Sequence, residues 1–349
     1  MNENDLVIME DTMITHYQTA KNSDKLHEKV DNLTIKKGSQ LILDTNKKFQ
    51  KIIGFGGAFT EASAYTFYQM PKNKQNEVIN AYFNKETGLG YNLGRVSINS
   101  CDFSLGNYTY IDDYDTSLNS FNIDRDKKFV IPMINLAEKV RNDKIDILAS
   151  PWSPPAWMKT NNDMNNGGKL LEKYKQVWAN YYIEFLKAYN NEGVNIFALT
   201  IQNEPAAKQV WDSCIYSKEE ERDFVRDYLG PTLKSSSFKD TKLLIWDHNR
   251  DIIFDRVKMV LDDEIASKYV WGVGFHWYVS EMFENLSKVH NSFPDKHLLF
   301  TEGTIEGGVA IGDFSTGERY ARNMIGDFNN YCEGYIEWNL MLNELGGPN

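Results

Sequence analysis

Eight short apolar runs, most of them closed by a polar or indole-bearing residue and followed by an amphipathic stretch, constrain the fold of this chain more than any single motif. They fall at 52–56, 93–98, 145–149, 196–201, 243–246, 272–275, 297–301 and 334–337. Short runs without polar alternation suit strands buried on both faces, as in a parallel sheet covered by helices. Helix signals fill the intervals. Behind Pro132, residues Met133, Leu136, Ala137 and Val140 make one apolar face at i, i+3, i+4, i+7 spacing. Tyr174, Val177, Trp178, Tyr181, Phe185 and Ala188 make another, stopped near Gly193. Ser217 with Glu220 three residues on is a capping box opening a third. Strand alternating with helix predicts an α/β fold, and eight repeats fit a closed (β/α)8 TIM barrel.

A doubly wound sheet is the rival, and Gly54-Phe55-Gly56-Gly57 after the first strand is its best support. The spacing departs from G-x-G-x-x-G, and the second strand ends in Arg95-Val96-Ser97 rather than in an acid for a ribose. We read these glycines as permitting a tight strand-to-helix turn. Residues 1–50 differ from the rest: Val7-Ile8-Met9, 14–19 and Leu41-Ile42-Leu43 are strand-like runs between polar turns, too small to form their own core. Domains are therefore expected at 1–50 and 51–349.

A net charge of −11 argues against nucleic acid or an anionic membrane as partner. The three cysteines, Cys101, Cys214 and Cys332, have no metal or disulfide spacing, and no run spans a bilayer. No basic leader precedes Leu6, so a cytoplasmic location is expected. Aromatic residues, 13% of the chain with eight tryptophans, suit a ligand that stacks on flat rings.

In a barrel the residues just after each strand face the ligand. Here they are Ser150 to Trp157, Asn203-Glu204-Pro205, Asp247-His248-Asn249, His276-Trp277-Tyr278, Glu302-Gly303 and Trp338-Asn339. Two are carboxylates, Glu204 and Glu302, three strand–helix repeats apart and so on opposite sides of an eight-strand ring. Such a pair across a cleft is what glycosidic bond cleavage needs, with carboxyl groups ~5–5.5 Å apart for retention and ~6.5–9.5 Å for inversion. Taken singly, either acid could be a cap or a surface residue. His248, His276, His290 and His297 lack ligand spacing and read as core or loop residues. A serine hydrolase elbow and a phosphate loop are both missing.

Together the motifs resemble glycoside hydrolase family 30, the glucosylceramidase or acid β-glucosidase type, over nearly the whole chain. The resemblance is carried by Gly54-Phe55-Gly56-Gly57-Ala58-Phe59-Thr60, Gly94-Arg95-Val96, Ser100-Cys101-Asp102-Phe103-Ser104 and Ala149 through Asn161. It continues through Gln202-Asn203-Glu204-Pro205, Arg222-Asp223-Phe224, Leu229-Gly230-Pro231-Thr232-Leu233, His276-Trp277-Tyr278, Thr301-Glu302-Gly303, Trp338-Asn339-Leu340 and Gly346-Gly347-Pro348-Asn349.

The resemblance implies a retaining hydrolase of a β-linked glucoside, acting on a glucosyl lipid or an oligosaccharide such as a β-1,6-glucan, without cofactor or metal. Glu204 would be the general acid/base and Glu302 the nucleophile; Asn203 would bind the sugar 2-hydroxyl. Tyr278 and Arg95 would flank Glu302, and Asp102, Trp152 and Trp338 would line the sugar pocket. Glu204 should then have a raised pKa, and Glu302 should stay ionised beside Arg95. Family members continue past Gly-Gly-Pro-Asn, so residues 1–50 are expected to belong to a side β-sandwich that this chain leaves incomplete, making it aggregation-prone. A xylan- or fucoside-directed relative and a non-catalytic carbohydrate-binding protein stay open as alternatives. Oligomeric state is not legible.

Overall fold

The apolar runs become a ring of eight parallel strands in a computed structural model that describes residues 15–23, 28–30 and 44–348. Ahead of the ring, β1 (His16–Gln18) and β2 (Glu28–Val30) form a separate antiparallel pair. The expected runs Val7–Met9 and Leu41–Leu43 lie outside the described residues. The barrel consists of β3 (Gly54–Ala58), β4 (Leu93–Ile98), β5 (Asp146–Pro151), β6 (Ile196–Thr200), β7 (Lys242–Asn249), β8 (Gly272–His276), β9 (His297–Glu302) and β10 (Gly334–Asn339). Each pairs with the next, and β10 pairs with β3 to close the ring.

Helices α1 (Glu61–Gln69) and α2 (Lys72–Phe83) follow β3. After β4 comes α3 (Val130–Arg141), which starts two residues before Pro132; the proline sits in the first turn, where its missing N–H breaks no helical bond. Next is α4 (Lys175–Asn191), with Gly193 in the left-handed region just beyond its end. The Ser217–Glu220 capping box opens α5 (Lys218–Phe224), and α6 (Gly230–Ser235) continues it. The remaining repeats supply α7 (Ile253–Leu261), α8 (Glu284–Ser292) and α9 (Phe314–Phe328). Among the described residues no helix is long and apolar enough to cross a membrane.

The glycines after Ile53 do a different job from the one expected. Gly56 and Gly57 lie inside β3, where a Cβ on Gly56 would stand 1.8 Å from the Leu93 carbonyl oxygen. They let β3 approach its neighbours, and the turn into α1 is made instead at Thr60, whose hydroxyl caps the Ser63 N–H.

Most of the core lies between the strands and the outer helices, around Phe67, Trp178, Phe185 and Phe224. A second core fills the barrel itself: Leu93, Leu148, Ala198, Leu244, Leu299 and Ile336 plug its lower half. Two residues further along four of those strands stand Arg95, Ser150, Thr200 and Thr301, all fully buried. Polar chemistry is thus stacked directly on an apolar plug.

Candidate active site

The polar layer owes its centre to a bulge. On β7, Leu244 points into the barrel and strict alternation would send Trp246 after it. Instead Trp246 and Asp247 both take positive φ (72° and 51°), and the β7–β8 register shifts between Trp246 and His248. Trp246 is thereby turned out against α7, where the Arg256 guanidinium covers its ring at 4.8 Å, and Asp247 takes the inward place. From α5 the buried Glu221 carboxylate accepts the Trp246 N–H at 2.7 Å and holds the bulge from outside. Glu204 is also left-handed (φ 49°), and its N–H donates to the Asp247 carbonyl at 3.0 Å. Left-handed backbone at a non-glycine costs roughly 1–2 kcal/mol per residue and persists where the surroundings over-determine it.

Asp247 accepts four side-chain donors: Arg95 Nη2 at 2.9 Å, Thr200 Oγ1 at 2.7 Å, Thr301 Oγ1 at 2.6 Å and His276 Nε2 at 3.1 Å. Burial alone would raise its pKa, but Arg95, His276 and Thr301 hold it far below the usual carboxylate range. The same guanidinium reaches three further groups: Nη1 donates to Glu302 Oε2 at 2.5 Å, Nη2 to Asn203 Oδ1 at 2.8 Å, and Nε to Ser150 Oγ at 3.2 Å. Its faces lie over Trp152 and Trp338, 4.7 and 5.5 Å from the ring centroids. Those indoles stack on each other at 5.1 Å.

Glu302 is tied at both oxygens, by Arg95 and by the Tyr278 hydroxyl, 2.9 Å from Oε1. Glu204 faces nitrogens: His276 Nδ1 at 3.2 Å, Gln209 Nε2 at 3.2 Å and His248 Nε2 at 3.7 Å. One oxygen of each glutamate and a ring nitrogen of His276 all lie within 4.8 Å of one another. Both nitrogens of His276 are engaged by carboxylates and Glu302 by a guanidinium, so these donors form a hydrogen-bonded network and do not fit a cation site.

The charge distribution reverses the expectation. Burial raises the Glu302 pKa, and His276 and Arg95 offset only part of the rise. Burial also pushes Glu204 upward, but the hydrogen bond and charge of His276, joined in acid by the charge of His248, outweigh it and bring Glu204 down to about 2. His276 is the reason. Burial disfavours its charged form, yet Glu302, Asp247 and Glu204 hold it up at about 9. An acid that was to be protonated on its own account has a histidine beside it instead.

Of the eight residues singled out in the sequence, Asp102, Trp152, Asn203, Glu204, Tyr278, Glu302 and Trp338 line one cavity of about 760 Å³ at the C-terminal mouth of the barrel. Arg95 lies beneath its floor. Asp102 keeps one carboxyl oxygen without a partner, and burial together with Glu302 and Glu204 pushes its pKa well up. Asp247, His248 and His276 carry a signal only by position, at the ends of β7 and β8, and the reading of the two histidines as core or loop residues is corrected by their contacts with Glu204; Gln209 carries no such signal. A smaller cavity, about 370 Å³, is lined by residues of β3, β10 and α9 and shares Thr304, Trp338 and Asn339 with the larger one.

Residues 52–349 match the family model described as glycosyl hydrolase family 30 TIM-barrel domain. The lysosomal acid glucosylceramidase of Mus musculus is 37% identical over 330 residues, 89% of this chain and 64% of that protein. The chain therefore spans less than two thirds of the length of this curated relative. The crystal structure of SrfJ from Salmonella typhimurium superimposes with a TM-score of 0.82 at 41% identity, covering 86% of this chain and 67% of that one. The endo-β1,6-glucanase BT3312 follows at 0.79 and 31%, covering 88% and 72%. With a family model matched over residues 52–349, and with the barrel and its facing glutamates in place, this chain belongs to glycosyl hydrolase family 30.

Proposed function

We propose that the protein hydrolyses a β-linked glucoside with retention of configuration, with Glu204 as general acid/base and Glu302 as nucleophile. The observation that carries this reading is the approach of the two carboxylates to within 4.8 Å, on the retaining side of the two spacings. In the first step Glu302 attacks the anomeric carbon while Glu204 gives its proton to the leaving oxygen. Water activated by Glu204 then hydrolyses the glycosyl–enzyme ester. Arg95 and Tyr278 fix both oxygens of Glu302 for in-line attack. Because Asn203 Oδ1 is taken by Arg95, its Nδ2 is the end left to donate to the sugar 2-hydroxyl.

For the leaving group, the rim of the cavity supports a substrate with an apolar aglycone. Trp211, Val279, Val309 and Ile311 line the mouth and are 37, 63, 50 and 89% exposed. An exposed apolar patch of this kind suits a hydrocarbon chain better than a hydroxylated glucan. A glucosyl lipid, the substrate class in the mouse relative's name, is thus favoured over the β-1,6-glucan for which the glucanase BT3312 is named.

The test is azide rescue with an activated aryl β-glucoside. Glu302→Gly should lose more than roughly 10⁴-fold in kcat and, with azide, yield the α-glycosyl azide. Glu204→Ala should yield the β-azide. The opposite pairing of products would overturn the assignment, and sugar binding without turnover by the wild type would mark a binding protein. Turnover of aryl β-xyloside or β-fucoside above β-glucoside would move the substrate to those sugars.

A further inference from the structure

His276 is fully buried between two carboxylates, with Nε2 3.1 Å from Asp247 Oδ1 and Nδ1 3.2 Å from Glu204 Oε1. Asp247 already accepts from Arg95, Thr200 and Thr301, so it is ionised and Nε2 carries the proton that faces it. A neutral ring would then present a bare lone pair at Nδ1 to a carboxylate oxygen. Two acceptors do not remain at 3.2 Å without a proton between them. One proton therefore occupies that contact, with two seats available to it.

We propose that Asp247, His276 and Glu204 form a relay in which the acid's proton rests on His276 Nδ1 in the free enzyme and moves to Glu204 Oε1 when substrate fills the cavity. This rests on the reading of Glu204 as acid/base. The proton count closes. Transfer converts imidazolium and carboxylate into neutral imidazole, still donating Nε2–H to Asp247, and carboxylic acid. Glu204 then gives the proton to the glycosidic oxygen, which leaves with both electrons of the broken bond. That leaves two acceptors facing each other in the glycosyl–enzyme, a repulsion relieved in the second step when water's proton passes to Glu204 and back to Nδ1. Binding drives the transfer because excluding water penalises a buried ion pair more than a neutral one. His276 is a positioning residue here: it touches Glu204, not the sugar.

The groups around His276 agree. Glu302 on β9 has an oxygen within 4.8 Å, and Arg95 on β4 reaches it only through Asp247 and Glu302. Tyr278, two residues on, is spent on Glu302. His248 on β7, its ring 6.2 Å away, is pushed by burial down to about 4 and stays neutral, so it does not compete for the proton. With Glu302, Asp247 and Glu204 outweighing burial, His276 is held at about 9 while Glu204 lies at about 2.

The experiment is the pH profile of kcat/KM on an aryl β-glucoside for the wild type and His276→Gln, whose amide can hydrogen-bond but not titrate. The wild-type basic limb should follow the upper step of the pair, at about 9. In the variant that limb should fall by about two pH units, toward a lone buried carboxylic acid, with acid-side activity kept within about tenfold. An unmoved limb with uniformly lower activity would overturn the relay. Should the variant not fold, ¹⁵N-histidine spectra of the wild type decide: one imidazole protonated on both nitrogens at pH 7 is expected, and a neutral ring at pH 7 would overturn it. Wild type inert on every β-glycoside yet carrying that imidazolium would overturn the substrate reading and leave the proton's seat standing.

Discussion

Two layers of the barrel interior, one turn of the pleat apart on the same strands, are equally buried and built on opposite rules. The lower layer, Leu93, Leu148, Ala198, Leu244, Leu299 and Ile336, is a plug of interchangeable hydrocarbon. The upper layer replaces it with Arg95, Ser150, Thr200, Asp247 and Thr301, none of them exposed to solvent. Hydrophobic transfer stabilises the first; the second tolerates burial only because Asp247 receives four donors and Arg95 spends every face. The lower layer can lose an atom and leave a hole. The upper one loses a partner and leaves a charge.

That contrast is broken most severely at Arg95. Arg95→Met keeps much of the volume but strands Asp247 and Glu302 as buried, unpaired carboxylates, a loss of about 3–5 kcal/mol in denaturant unfolding together with catalysis. With the guanidinium gone, both acids gain protons more readily in the folded state. The deficit should therefore shrink as pH is lowered, and a deficit independent of pH would show that Arg95 acts mainly by packing against its tryptophans. In the lower layer, Leu244→Ala should cost about 2–5 kcal/mol through transfer and cavity terms. This loss should be the same at pH 4 and pH 7, and the pH limbs of kcat/KM should not move.

How much of this was legible depended on whether a residue's neighbours in space could be inferred from its neighbours in sequence. The strands could be read because burial on both faces leaves uninterrupted apolar runs, and the barrel because the runs recur with helices between them. Glu204 and Glu302 stood out as carboxylates ending such runs. Alternation, by contrast, would have placed Trp246 inside; the bulge that substitutes Asp247 depends on Glu221 reaching over from α5, a contact with no local signature. Gly56 and Gly57 read as a turn because nothing in the sequence shows how closely β4 approaches β3. The expectation for Glu204 failed for the same reason. A carboxyl's pKa is set by what faces it, and His276 arrives from two strands away.

The smallest effect tests the upper layer on the lower layer's own terms. Thr200→Val is near-isosteric and makes that position as apolar as Ala198 below it, removing one 2.7 Å hydrogen bond to Asp247. If hydrogen bonding holds the layer, the variant should be about 1.5 kcal/mol less stable at neutral pH, the worth of one bond to a charged acceptor. The sign of its pH dependence follows from Asp247. Burial would raise that pKa, but Arg95, His276 and Thr301 depress it below its unfolded value, so ionised Asp247 contributes stability above about pH 4 that is lost only in stronger acid. Thr200→Val raises the folded pKa part of the way back. Its deficit should be constant from neutral pH to about 4 and narrow below that, whereas the Leu244→Ala deficit runs parallel to wild type throughout. Urea titrations of the two variants across that range make the comparison. Parallel curves for both, or a stabilised Thr200→Val, would mean that the two layers obey one rule, with the hydroxyls around Asp247 no more than filler.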